Sequence, residues 1–348
     1  MVDLGRRSIL AGLAGGAASM LGPASSRAAT GIETPDLAKA KSEGKVMLYT
    51  SLDTKILDSI IRAFTEKYGI RVEYYRGGSV DVTAKVLFEA SAGRVQADMV
   101  DASDVTSFLV MKKHGLLEPY RSAATVSVPA ALHDPDYYWV ADRLTQAVVQ
   151  YNTHQFGTAP PRHWADLTKP RFDRKLVFFS AANGDGAPRL YTLVKYFGWD
   201  LLKGFAANHP LRVATPQLIT QILETGERGC GFAQNDNIAW RSKRLKKPTD
   251  YLFPSEGVPT EPGAVALVHK AAHPNAARLF YDWWMGETGQ KLLVAGGKYS
   301  SRTDLAPPAG NPPLARLKIL TLDYEEYLQD RTKILKQMTR IFGGEWGV

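Results

Sequence analysis

The sequence predicts an α/β fold in two lobes, each a mostly parallel sheet flanked by helices. Two observations carry this expectation. Short apolar runs rich in strand formers alternate with segments whose apolar residues recur at helical spacing, the order that sets parallel strands side by side under helices. Beyond a leader, about 320 residues remain, more than one ordinary core holds.

Residues 1–28 read as an export signal. Gly5, Arg6 and Arg7 lead into the apolar stretch Ile9 to Leu21, and Ser26-Arg27-Ala28 closes it with a small-x-small pattern. Paired arginines ahead of an apolar stretch diluted by Gly12, Gly15, Gly16 and Gly22 point to twin-arginine export of a folded chain, with the general route as the alternative. About 13 weakly apolar residues fall short of the roughly 20 that span a bilayer, so the leader is not an anchor. The mature chain then begins near Ala29 in the periplasm, and its net charge falls from +8 to +6. Arg241-Ser242-Lys243-Arg244-Leu245-Lys246-Lys247 reads as a solvated helix end, nucleic acid is not an expected partner, and the basic balance favours anionic solutes. Cys230 is the only cysteine, which excludes an internal disulfide and a cysteine metal cluster and leaves a small buried filler.

The elements follow in order. Val46 to Thr50 is a strand, and Leu57, Ile60, Ile61 and Phe64 mark the face of the helix after it. Ile70 to Tyr75 is a second strand, broken at Gly77-Gly78, with Val82, Val86, Leu87 and Ala90 on the next helix. Ala97 to Val100 is a third, and Asp104 caps the helix Val105 to His114. In such sheets ligands collect beyond the carboxyl ends of the strands. Those ends carry Thr50-Ser51, Gly78-Ser79 and Ser103-Asp104, each just before a helix. Each pair reads as a helix cap, and their shared edge also suits hydrogen bonding to a solute.

The pattern Thr145 to Tyr151 is the strand on which the chain crosses into the second lobe. There Leu176 to Phe179 is a strand, helices cover Arg189 to Phe197 and Thr215 to Glu224, and another strand surrounds Cys230. Gly257 to Gly263 reads as a turn-rich segment, and apolar Ala264 to Val268 as the return crossing. The expected lobes are residues 29–144 plus 265–348, and 145–264.

Several fragments together resemble the periplasmic solute-binding proteins of ABC importers, in the two-lobed branch that includes ferric-ion, phosphonate, phosphate-ester and thiamine binders. They include Leu48-Tyr49-Thr50-Ser51, Tyr68-Gly69-Ile70-Arg71-Val72, Ala97-Asp98-Met99-Val100 and Gly115-Leu116-Leu117-Glu118-Pro119-Tyr120. Tyr151-Asn152-Thr153, Pro254-Ser255-Glu256-Gly257, His273 to Phe280 and Gly289 to Leu293 continue the series through nearly the whole mature chain. The resemblance implies the type II periplasmic-binding-protein fold, with ligand in the interlobe cleft. It also implies closure on binding, docking on an ABC permease and a monomer without cofactor.

Ferric-ion members use an adjacent tyrosine pair near the stretch that here reads Gly231 to Trp240, and Ile238 and Ala239 offer no donor in its place. That makes the ferric reading the alternative to a small anionic or zwitterionic solute: a phosphonate, phosphate ester or organic acid. In the second lobe the candidates are Gln234, Asn235 and Asp236 at a strand end, with Asn183, Asp185 and Gly186 in a glycine-rich turn that can aim N–H groups at an anion. Asp185 equally suits a helix cap or an amino group of the solute. Arg143 is either a bidentate anion clamp or the partner of Asp142. Glu256 either contacts ligand or stabilises the hinge. An exported enzyme is a further alternative, but G-x-S-x-G and H-E-x-x-H are absent and the seven histidines are scattered, so no catalysis is expected.

Overall fold

The computed structural model describes residues 31–180 and 186–346. The expected leader, Asn183 and Asp185 lie outside them. In chain order the molecule runs α1 (Leu37–Glu43), β1 (Lys45–Thr50), α2 (Thr54–Tyr68), β2 (Arg71–Arg76), α3 (Ser79–Ser91), β3 (Met99–Ala102), α4 (Val105–Lys113) and β4 (Leu117–Glu118). The long strand β5 (Val140–Asn152) leads to α5 (Thr153–Phe156), β6 (Leu176–Phe179), α6 (Ala187–Phe197), α7 (Trp199–Ala207), β7 (Leu211–Val213), α8 (Pro216–Thr225), β8 (Cys230–Asn235), α9 (Asp236–Arg244) and β9 (Thr249–Leu252). A second long strand, β10 (Val258–Val268), returns to α10 (Pro274–Met285), α11 (Glu287–Ala295), β11 (Tyr299–Ser300), β12 (Ile319–Leu320) and α12 (Tyr324–Phe342).

Hydrogen bonding orders the main strands β2-β1-β3-β10-β5-β8-β6-β7. β1 is parallel to β2 and β3, and β6 is parallel to β7 and β8, whereas the two long strands run antiparallel to their neighbours in that order, and β10 also pairs in parallel with β12. β5 is bonded to β10 through residues 140–146 and to β8 through residues 147–151, so it joins the two halves of the sheet.

Local chemistry explains the elements that place the site. In α2, Asp53 caps the N-terminus by accepting from the Lys55 N–H at 3.0 Å, and Gly69 ends the helix at φ 71°. Its buried stripe Ile56, Leu57, Ile60 and Phe64 is worth about 1.5–3 kcal/mol per side chain. Successive residues of β1 serve opposite faces: Leu48 packs with Leu57, Phe64 and Phe280, and Tyr49 with Val100, Phe108 and Trp139.

The structure changes two expectations. The segment read as a turn, residues 258–263, is part of β10, because Thr260 to Gly263 pair with Gln146 to Arg143. Pro262 sits beside a register shift at Gly263/Ala264, a place in a sheet where a missing N–H is tolerated. The end of the chain also departs from the first lobe: Leu322, Tyr327, Ile334, Leu335, Met338 and Trp346 pack into the core of Phe178, Phe205 and Phe232. Cys230 belongs to that core, and burial pushes its thiol pKa up.

Candidate functional site

A cavity of about 440 Å³ lies between the carboxyl ends of β1, β2 and β3 and the N-terminal ends of α6, α8 and α9. Ser51, Gly78, Ser79, Ser103 and Asp104 line it from one side, and Gly186, Thr215, Asn235 and Asn237 from the other. The three hydroxyl-bearing turns do meet. Ser51 and Ser103 place their Oγ atoms 2.9 Å apart, and the Ser103 N–H donates to Ser51 Oγ (2.8 Å) and Ser79 Oγ (3.1 Å). Thr50 lies beneath them, fully buried, its hydroxyl donating to Asp101. Asp104 caps α4 through the Thr106 N–H (2.9 Å) and hydroxyl (2.6 Å), while burial raises its pKa.

At the start of α3 the Gly78 N–H donates to Asp81 at 3.2 Å, whereas among the described residues three helices begin at this cavity without a side-chain cap bond: α6 after Gly186, α8 after Thr215 and α9 after Asn235. Their first-turn N–H groups and dipoles favour negative charge. Gly186 is required by its backbone: φ is 86°, and a Cβ would meet the Phe179 ring at 2.9 Å and its carbonyl oxygen at 3.1 Å.

Arg143 is fully buried and paired. Its Nη1 donates to Asp101 and to both oxygens of Asp142 (2.8 and 2.9 Å), and its Nη2 to Ser103 Oγ at 3.1 Å. Asp142 also accepts from the Trp284 indole at 3.0 Å. The pairing depends on a bulge. Gly263 opposes Arg143 and Ala264 opposes Ala141, so Asp142 is the extra residue of β5 and its carboxylate reaches its neighbour's guanidinium. Of the two readings of Arg143, the ion pair is the one present, and the guanidinium reaches the cavity only at its Ser103 edge.

Three other candidates stand behind the cavity wall or away from it. Gln234 is buried and holds the start of α8 by donating to Pro216 O at 2.9 Å. Asp236 is fully buried, accepts from the Gln146 N–H at 3.1 Å and is pushed up to about 6 by burial, against the attraction of Lys298 and Arg189. Glu256 accepts from His163 Nδ1 at 2.9 Å and from the Trp164 N–H, and does not line the cavity, so its bonds tie a loop together.

Among the lining residues that sequence reasoning missed are the cations Arg76, Arg189 and Lys298, Asn237, and the carboxylates Asp53, Asp81 and Glu261. Arg76 ends β2 and donates from Nε to Leu52 O at 2.8 Å; among the described residues no carboxylate pairs with it. Its place immediately before Gly77-Gly78, on the edge already singled out, was a usable signal. Arg189 is engaged with Glu261 (Nε–Oε2 3.0 Å), Ala233 O (3.0 Å) and Asn235. Lys298 donates to Thr145 Oγ1 at 2.9 Å and is lowered to about 8 by burial and by the charges of Arg143 and Arg189, against the pull of Asp236.

Arg241, read as part of a solvated helix end, instead pairs with Asp53, one of the residues that line the cavity. Its two Nη atoms lie 3.1 and 3.2 Å from the two oxygens of Asp53 at the start of α2. A double-mutant cycle on D53A and R241A should give a coupling of about 0.5–1 kcal/mol in thermal unfolding at low salt that shrinks in 1 M NaCl. A coupling below about 0.2 kcal/mol would mean that the pair holds nothing.

Among the described residues no three His, Cys, Asp or Glu side chains are grouped to hold a metal ion. Ile238 lines the cavity and Ala239 is buried behind it, and none of the described lining residues is Tyr, His or Cys.

Residues 96–329 match the family model described as bacterial extracellular solute-binding protein. An uncharacterized protein of Haemophilus influenzae is 25% identical over 308 residues, 83% of this chain and 87% of that one. A probable ABC transporter periplasmic-binding protein, y4fP, of Sinorhizobium fredii is 26% identical over 209 residues, 56% of this chain and 57% of that one. Two solved structures share the fold: iron-bound HitA from Pseudomonas aeruginosa (TM-score 0.75, 17% identity, 85% and 99% of the two chains) and AfuA from Actinobacillus pleuropneumoniae with fructose-6-phosphate (TM-score 0.74, 21% identity, 86% and 98%).

Proposed function

The chain belongs to the bacterial extracellular solute-binding proteins, and within that family we propose that it is a periplasmic receptor for a small organic anion, a phosphate ester or phosphonate, which it delivers to an ABC permease. The observation that carries this reading is the convergence on one cavity of three helix starts that, among the described residues, have no side-chain cap bond, together with the carboxylate-free Arg76. Each supplies N–H donors or positive charge and none needs a metal. The hydroxyls of Ser51, Ser79 and Ser103 can turn toward the same oxygens. Closure follows from contacts with the ligand made by both halves at once, with bending at β5 and β10, the strands through which the chain passes between the halves. The ferric-ion alternative lacks its preferred donors, because no phenol or imidazole lines the described cavity.

The test is isothermal titration of the purified protein with the solute that native mass spectrometry finds bound. Arg76→Ala should raise Kd at least about tenfold, the loss of a charged hydrogen bond worth about 1.5–3 kcal/mol. An unchanged Kd, or recovery of stoichiometric ferric ion with a visible charge-transfer band, would overturn the reading.

A further inference from the structure

The start of α9 breaks a pattern that the other Asp and Asn residues at described helix starts keep. Asp36, Asp53, Asp104, Asn152 and Asp323 each stand just before a helix, and the side chain of each accepts from a first-turn N–H. Asn235 stands before α9 and makes no such bond. Its backbone does not explain the difference. Its φ and ψ are −67° and 122°, against −76° and 125° at Asn152, whose Oδ1 accepts from the N–H groups of His154 (2.9 Å) and Gln155 (3.1 Å). What differs is a competing donor: the buried Arg189 donates from Nη1 to Asn235 Oδ1 and to the Ala233 carbonyl oxygen (3.0 Å). Glu261 on β10 holds the other side of the same guanidinium, accepting from Nε (3.0 Å) and from Nη2. The fork is planar and rigid, so fixing it at Glu261 aims Nη1 at Asn235.

The consequence lies in the cavity. An Asn cap bonds the N–H of the second or third helical residue, here Asn237 or Ile238, and both line the cavity. The Asn237 N–H lies beside the Asp236 carboxylate, which leaves that of Ile238 as the one a cap would take. A capping carboxamide would put its own oxygen where an oxygen of the solute would bond. We infer that Arg189 is a positioning residue: anchored by Glu261, it draws the Asn235 carboxamide away from α9 and reserves the first turn of that helix for the solute anion. Its charge is answered by Glu261, so its contribution is placement. This rests on the anion reading above and names the pair that keeps one wall of that site open.

The experiment compares three forms of the full mature chain: wild type, Arg189→Met with Glu261→Gln, and that double variant with Asn235→Ala added. Removing Arg189 and Glu261 together leaves the net charge of the wall unchanged. Two quantities are read: amide hydrogen exchange at Ile238 without added anion, and Kd for inorganic phosphate. In the double variant, exchange at Ile238 should slow about two- to thirtyfold, the range that a cap bond is worth, and the phosphate Kd should rise by about the same factor. Adding Asn235→Ala should reverse both. A residue that merely props the wall gives a loss that truncating Asn235 deepens. Unchanged exchange in the double variant overturns the inference whatever phosphate does. Slowed exchange with an unchanged Kd, or with a raised Kd that Asn235→Ala does not restore, overturns it too. Slowed exchange with no phosphate binding by the wild-type protein overturns the anion reading and leaves the hold of Arg189 on Asn235 standing. If the double variant folds poorly, Arg189→Lys decides the case: its one Nζ cannot hold Glu261 and Asn235 at once, so exchange at Ile238 should again slow, and unchanged exchange overturns the inference.

Discussion

Arg143→Ala should cost about 3–5 kcal/mol of folding stability, because it leaves the carboxylates of Asp101 and Asp142 buried without their cation. The pair and its guanidinium are all fully buried, so water cannot replace the missing charge. The loss should depend on pH. In the folded protein Asp142 is pushed up to about 6 by burial and by the neighbouring charge of Asp101, against the attraction of Arg143, whereas its unfolded value is about 3.9. The folded state therefore holds this proton more tightly, and the stability that it gives is complete below about pH 4 and is lost as pH rises through 6. Without Arg143 the lowering influence is gone and the loss extends to higher pH, so denaturant unfolding should find the gap between variant and wild type widest near pH 7 and narrower at pH 5. A loss below about 1 kcal/mol, or one equal at both pH values, would show that Arg143 is not what makes the buried carboxylates tolerable.

The reasons that this ion pair could not be read from the sequence are physical. Strand and helix periodicity is local, and it located β1, α2, β2, α3, α4 and β6 to within a few residues. It also put Ser51, Ser79 and Ser103 on one edge, because parallel strands end together. Arg143 and Asp101 are 42 residues apart in sequence, however, and the adjacent Asp142 would point to the opposite face of a regular strand. Only the bulge at Asp142 brings both carboxylates to one guanidinium, and a bulge in one strand is defined by its partner, β10, more than 100 residues later. β10 itself was obscured by Pro259, Pro262 and Gly263, residues that signal a turn when their neighbours in the sheet are unknown. Lys298 follows Gly296-Gly297 after α11 and reads as an exposed loop cation, yet Thr145 and the charge of Asp236 draw it inside. Local chemistry fixes which elements form; long-range pairing decides which of their polar residues face the ligand.

Long-range pairing also makes the end of the chain carry more stability than its position implies. Trp346 is 1% exposed. Its ring packs near those of Phe178 and Phe342 (centroids 6.2 and 5.9 Å away), and its indole N–H donates to Gly343 O at 3.0 Å. The Arg212 guanidinium lies 4.4 Å over the ring centre, and the same arginine donates from Nε to Ser180 O at 2.9 Å. Trp346 thus seals one side of the second core and, through Arg212, is linked to Ser180 just after β6. Trp346→Ala removes a large buried aromatic, for which about 3–5 kcal/mol is usual; at least the low end of that range, about 3 kcal/mol, is expected here. For a core of this size that corresponds to a drop of roughly 6–12 °C in Tm. Calorimetry should find it, with Trp346→Phe recovering more than half because it keeps most of the packing while losing the indole hydrogen bond. A Tm within about 2 °C of wild type for the alanine variant would mean that the C-terminal helix and its last turn are not integral to the second core.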